Sequence, residues 1–279
     1  MLQEMGVHVW LPECGVAVLE PPAPSVRPTP ARAPDAPTPP PARSPAPVLA
    51  VAPGSATAPA ERASAATRDW PTLADAVRNC QACGLCAGRN LTTLLPPTEQ
   101  AACDWMVLGD APDEDEDRAG APFAGQDGVL LGHMLRALGL QRANPFPSAD
   151  APAVAATARP AAQRAYVSNV LKCRPAHGAM PQAAELAQCA AHLQQEIALV
   201  QPKMILAMGR FANQVLLAES PALAAQPLGK LRGTVHSYRG IAVVVTYPPK
   251  LLMRNSADKA KAWADLCLAA ATLSTEPPP

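Results

Sequence analysis

Four short apolar runs, Trp105–Gly109 (WMVLG), 165–171 (AYVSNVL), Met204–Met208 (MILAM) and Ile241–Thr246 (IAVVVT), alternate with longer amphipathic stretches. Each run is rich in Val, Ile or Leu and is followed by a loop signal: Gly109, Pro175, Gly209 and Pro248. Near-continuous apolar composition marks strands covered on both faces, as in parallel sheets. The stretches between them have helical spacing. Residues 128–140 repeat Leu130/Leu131, Met134/Leu135 and Leu138, and 181–200 open on Pro181 and carry Leu186, Cys189/Ala190, Leu193 and Ile197. Residues 210–217 and 256–273 complete the set, the last with Ser256 as expected N-cap. Strands alternating with helices define an α/β doubly wound sheet, in which ligands bind beyond the carboxyl ends of the strands.

Composition sets the boundaries. Of the 34 prolines, 14 fall in residues 21–60. The Pro/Ala tract at 21–67 has almost no large apolar side chains and reads as a disordered linker, because it cannot bury enough surface to offset ordering entropy. Residues 1–20 form a short amphipathic segment with Val7, Val9, Trp10 and Leu11, either a loose tail or a protein-partner motif. The folded domain is expected at 68–279, with a mobile Pro/Ala insertion at 144–163. No apolar run is long enough to span a membrane and no secretory leader opens the chain, so a cytoplasmic, monomeric protein is expected.

Charge is balanced overall, 23 Lys+Arg against 23 Asp+Glu, which excludes a strong global field for polyanions. Locally it is uneven. Residues 110–117 (DAPDEDED) hold six acids, whereas the chain from Arg159 onward has 13 basic and 6 acidic residues. The cysteines are equally uneven. Cys80 and Cys83 form a CxxC that Cys86 extends, and Cys173 and Cys189 stand sixteen apart much later. Four thiolates suit zinc or an iron–sulfur cluster, and spacing does not separate the two.

The loops after the first two strands carry the chemistry. The first reads Gly109-Asp-Ala-Pro-Asp-Glu-Asp-Glu-Asp117, then Pro122-Phe123-Ala-Gly125; the second reads Asn169-Val-Leu-Lys-Cys173-Arg-Pro175. Together with Pro202-Lys203, Leu231-Arg232-Gly233 and Thr246-Tyr-Pro-Pro249-Lys-Leu-Leu-Met-Arg254, this series resembles the family 4 uracil-DNA glycosylases over about residues 72–273. The resemblance implies a three-layer α/β/α sandwich with a central four-stranded parallel sheet. It also implies a [4Fe–4S] cluster on Cys80, Cys83, Cys173 and Cys189, with Cys86 left out.

The implied activity is DNA repair: hydrolysis of the N-glycosidic bond of a uracil flipped out of DNA. By resemblance, Phe123 stacks on the base, Asn169 pairs with its O4/N3 edge, and Ala111 lies against it. Asp110 and Glu116 are then the candidate catalytic acids, Asp110 positioning water or stabilising the sugar cation. Asp117 is expected to hold the loop. An aromatic face and an amide suit the task, since the one grips a planar base and the other tells uracil from cytosine.

Two departures from the family pattern affect the catalytic core; Ala124, Asp127 and residues 176–181 differ as well. Pro248 replaces the His that donates to the leaving base, and proline offers no side-chain donor, which lowers the expected rate. Lys250, two residues on, is the candidate substitute cation. Asp113 stands where the family has Gly. A catalytically weakened nucleic-acid-binding or scaffold protein on the same fold is the alternative function.

Overall fold

The computed structural model describes residues 69–98, 103–145 and 163–275. The N-terminal segment, the Pro/Ala linker and most of the expected insertion lie outside the described residues. In chain order the elements are α1 (Trp70–Arg78), a 3-10 turn (Gly84–Gly88), β1 (Trp105–Gly109), α2 (Glu114–Ala119), α3 (Gln126–Ala137), β2 (Gln141–Arg142) and β3 (Arg164–Asn169). There follow α4 (Ala183–Val200), β4 (Met204–Met208), α5 (Arg210–Leu216), α6 (Pro221–Ala224), α7 (Leu228–Leu231), β5 (Val235–Tyr238), β6 (Ile241–Thr246), α8 (Pro249–Arg254) and α9 (Lys259–Thr275).

The sheet has six strands in the order β2-β3-β1-β4-β6-β5. The four strands legible as apolar runs are its contiguous middle, all parallel. Expecting four strands was too few. The two-residue β2 adds one parallel edge, and β5 adds an antiparallel one through the turn at Arg239-Gly240. Neither edge carries a long apolar run: β5 reads VHSY and β2 only QR. Short polar edges protect a sheet from pairing with other chains.

Alternation along the strands divides the core into two layers. Met106, Leu108, Tyr166, Ile205, Ala207, Val243 and Val245 face α4 and α5. Trp105, Val107, Val167, Met204, Leu206 and Val244 face α3 and α9. The three-layer sandwich follows from this division.

Two local expectations are corrected. Ser256 is not the N-cap of the last helix. It lies inside a 3-10 turn, Ser256–Asp258, that Asn255 leads by donating from Nδ2 to Asp258 Oδ2 at 2.6 Å. The insertion does not begin at 144 either. Asn144 is buried and stands in for a strand neighbour of β3, donating to the Val167 carbonyl at 2.7 Å and accepting from its N–H at 3.1 Å. Gln163 likewise holds Trp105 Nε1, at 3.1 Å.

Buried polar groups tie β3 and the residues after it to α4. Glu196 accepts from Tyr166 and Ser168 and is paired with Lys172, all nearly solvent-free. Lys172 Nζ also donates to the Asn169 carbonyl, so the strand end that carries Asn169 is braced from behind. Breaking one partner of such a buried pair is costly because it strands the other charge.

Candidate active site and cysteine cavity

The carboxyl ends of β1, β3, β4 and β6 meet at one edge, and the chemistry-bearing side chains gather there. Asp110, the first residue after β1, turns its carboxylate onto the start of α5. Oδ2 accepts from the Arg210 N–H at 3.0 Å, and Oδ1 accepts from Phe211 and Ala212 at 2.7 and 2.9 Å. Gly209, at φ 129, makes this approach possible, since a Cβ there would fall 2.3 Å from the carboxyl group. Burial raises the Asp110 pKa, and the three N–H donors oppose that by favouring the ionised form.

Phe123 and Asn169 come together over Gly109. A Cβ on Gly109 would lie 2.5 Å from Asn169 Oδ1 and 2.6 Å from Phe123 Cζ, so only glycine fits beneath them. Both residues are buried, at 5% and 2% exposure. Phe123 holds a left-handed backbone, φ 52, which is strained for a side chain of its size. Two contacts sustain it: its N–H donates to Glu116 Oε1, and Arg142 Nη2 holds the Pro122 carbonyl at 2.7 Å.

Glu116 is the hub of this cluster. Its Oε1 also accepts from Asn169 Nδ2 at 2.8 Å, while Oε2 accepts from the Asp113 N–H at 2.7 Å. Asp113 returns the favour to the Glu116 N–H, closing a capping box at the head of α2. Burial pushes the Glu116 carboxyl up to about 7, against the pull of these hydrogen bonds. Asp117 is fully buried and holds the loop after the 3-10 turn, accepting from the Asn90 N–H at 2.9 Å and from its Nδ2 at 2.7 Å.

A wide mouth lies beside this cluster. Asp110, Ala111, Pro112 and Asp113 line it on one side, with Arg174, Phe211 and Lys250 also on its wall. Phe123 and Asn169 are not part of that wall. Lys250 Nζ reaches Asp113 Oδ2 at 3.1 Å. Pro248 caps α8 with an extended backbone, and Arg232 stations this region: it stacks over the Tyr247 ring at 5.3 Å and pairs with the buried Asp265 at 2.9 Å.

The cysteines form a second cluster. Cys80, Cys83, Cys173 and Cys189 line one cavity between α1, the end of β3 and α4, and Cys86 lines it with them. Arg89 Nη1 donates to Cys173 Sγ at 3.3 Å and to the Cys80 carbonyl at 2.9 Å. Burial raises the Cys173 thiol, and pushes that of Cys189 up to about 11, so thiolates here call for a cation among them. Among the described residues no three such ligands converge tightly enough to hold a single ion. Soft thiols lining one cavity are a donor set of the kind that fits an iron–sulfur cluster.

The motif resemblance named four of the five cysteines that line the cavity, leaving out Cys86, and named Phe123 and Asn169, which the fold brings together over Gly109. It missed Arg89, Arg142 and the role of Lys172. The signal for Arg89 was its position three residues beyond Cys86; Arg142 had none, because its role depends on a strand of two residues.

The ends of the parallel strands thus present a buried aromatic, an amide and carboxylates side by side. Residues 96–267 match the family model described as uracil DNA glycosylase superfamily, and the chain belongs to that superfamily. Among similar proteins, the type-4 uracil-DNA glycosylase of Pyrobaculum aerophilum is 29% identical, over 72% of this chain and 92% of its own. Those of Archaeoglobus fulgidus and Saccharolobus solfataricus are 27% and 29% identical, over 65% and 66% of this chain and 83% and 76% of theirs. No described helix is long and apolar enough to cross a membrane.

Proposed function

We propose that this protein is a DNA repair glycosylase that hydrolyses the N-glycosidic bond of uracil in DNA. The observation that carries the reading is the convergence of Phe123 and Asn169 over Gly109, beside a mouth walled by Asp110 and Ala111. The aromatic face takes the flipped base, and the amide reads its N3 and O4 edge. Ala111 leaves room at the wall.

Asp110 is the group for the sugar. Among the described residues its Oδ2 has a single protein donor, the Arg210 N–H, and so keeps acceptor capacity toward the mouth. An ionised carboxylate held by three backbone donors can orient an attacking water and stabilise the oxocarbenium-like sugar as C1′–N1 breaks. The bonding electrons leave with the base, and Lys250, on the wall of the mouth, is the candidate cation for that negative charge. Pro248 supplies no donor, so the reaction is slower than with a preorganised side chain at that position. One missing donor of this kind typically costs on the order of 10²–10³ in rate.

Cys80, Cys83, Cys173 and Cys189 would hold a [4Fe–4S] cluster, which would serve as a structural staple between the segment after α1, the end of β3 and α4. Arg89, which donates to the Cys173 sulfur, would steady that ligand. A second reading, DNA binding with weakened catalysis, is favoured by Pro248 and by the neutralisation of Lys250 by Asp113. Base release from a uracil-containing single strand under enzyme excess decides between them. Free uracil and an abasic strand support the glycosylase. Salt-dependent binding without release supports the weakened form.

A further inference from the structure

Among the described residues, the hydrogen bonds to the Glu116 carboxylate all come from donors. The Phe123 N–H and Asn169 Nδ2 share Oε1, and the Asp113 N–H takes Oε2. An ionised carboxylate accepts and never donates, so the Asn169 amide has one permitted orientation. Nδ2 must face Glu116, and Oδ1 then points away from it, over Gly109 and beside the Phe123 ring. Reversing the amide would set Oδ1 against the carboxylate, two acceptors in contact inside a dry site.

We propose that Glu116 is the positioning residue that sets the pyrimidine specificity of this protein, by locking the Asn169 amide. The inference rests on reading Phe123 and Asn169 as the base-binding pair. In the locked orientation the amide offers an acceptor, Oδ1, and the second Nδ2 proton as donor. That pattern complements N3–H and O4 of uracil. Cytosine presents the reverse, an acceptor at N3 and a donor at N4, and meets two mismatches. Sites of this kind reject the wrong partner strongly because buried polar groups are left unpaired. Glu116 does not touch the base, and its role passes wholly through Asn169 and the Phe123 backbone.

The test uses the full chain purified with its cysteine-bound group. The probes are two single-stranded oligonucleotides, one with 2′-fluoro-2′-deoxyuridine and one with 2′-fluoro-2′-deoxycytidine at the same position, whose glycosidic bonds resist cleavage. The readout is the ratio of their dissociation constants. Wild type is expected to favour the uracil probe by about tenfold or more. Glu116→Gln has the same shape but can present either a donor or an acceptor, so the amide is no longer locked. Its ratio is expected to fall to within about threefold of unity, with melting temperature retained. A ratio equal to wild type, or equal losses on both probes, overturns the inference.

Should Glu116→Gln fail to fold, wild type measured at two pH values carries the test. The charged groups facing Glu116 are Asp113 at the head of α2 and Arg142 of β2, whose pKa burial lowers to about 10 and which stays cationic throughout. Below about pH 7 Glu116 takes a proton and can donate to Oδ1, so the ratio narrows; a ratio that does not change with pH overturns the inference. Wild type with no preference at high pH and no uracil release contradicts the functional reading itself. A clear wild-type preference that survives the loss of the Glu116 charge contradicts only the role given to Glu116.

Discussion

Lys250 and Asp113, two of the positions at which this chain departs from the glycosylase motifs, pair with each other across the mouth of the site, Nζ to Oδ2 at 3.1 Å. The residues lie 137 positions apart, on α8 and at the head of α2. Asp113 therefore has its partner in the cation two residues beyond Pro248. Asp113 also caps α2 and donates its N–H to Glu116, so an acid at this position serves the hub of the site as well as its rim.

Both partners are partly solvated, with side chains 57% and 29% exposed, so the pair contributes little to stability, ~1 kcal/mol or less. Its expected effect is on DNA. Lys250→Ala should weaken binding of a single strand regardless of its sequence and reduce the slope of log affinity against log salt by about 0.7. Asp113→Asn frees the lysine while retaining a capping side chain, and should tighten binding at low salt. Fluorescence anisotropy over a salt series checks both.

Gly109 is the floor on which Phe123 and Asn169 meet. Gly109→Ala places a methyl group within 2.6 Å of both side chains and must displace one of them. Destabilisation of ~1–3 kcal/mol is expected from overpacking. Base release should fall by about 10² or more, beyond any effect of stability, because a misplacement of 1 Å at a reacting group costs that much. Chemical denaturation and single-turnover kinetics on the same preparation separate the two effects.

Glu116 carries a pH signature in stability. Its pKa is about 7 in the folded chain against an ordinary 4.5, so between these values the folded state holds a proton that the unfolded state lacks. Stability from this group is therefore full below about pH 4.5, falls as pH rises to about 7, and is flat above; the drop is at most about 3 kcal/mol. Glu116→Gln lacks that slope. Its stability relative to wild type should be higher at pH 8 than at pH 5, as read by urea denaturation.

The cysteine cavity holds five sulfurs, and four are assigned. Cys173→Ser and Cys189→Ser should lose bound iron, the visible thiolate-to-iron absorption and several degrees of melting temperature, since metal-binding free energy is also folding free energy. Cys86→Ser should retain iron and colour. Iron content per chain, measured on anaerobically purified variants, checks the assignment.

Much of this was legible in the sequence because the responsible forces are local or strongly patterned. β1, β4 and β6 coincide with apolar runs, since strands buried on both faces leave no room for polar residues. The edges β2 and β5 were not legible, because their residues, QR and VHSY, owe their conformation to a neighbouring strand. In the site, cysteine spacing pointed to a thiolate centre, whereas Phe123 and Asn169 stood out only through the resemblance to the glycosylase motifs, because an aromatic in a loop and an amide at a strand end are otherwise ordinary packing and turn residues. The bracing by Lys172 and Glu196, and the hold of Arg142 on Pro122, depend on contacts between distant segments that no local pattern records.

The most direct measurement is single-turnover release of uracil from a single-stranded uracil-containing oligonucleotide, with wild type, Phe123→Ala, Asn169→Ala and Pro248→His compared at enzyme excess. The account predicts free uracil from wild type and losses of about 10² or more in the two alanine variants. It also predicts a faster reaction in Pro248→His, where a donor is restored. Wild type that releases no uracil, or alanine variants that release it at the wild-type rate, would contradict the account.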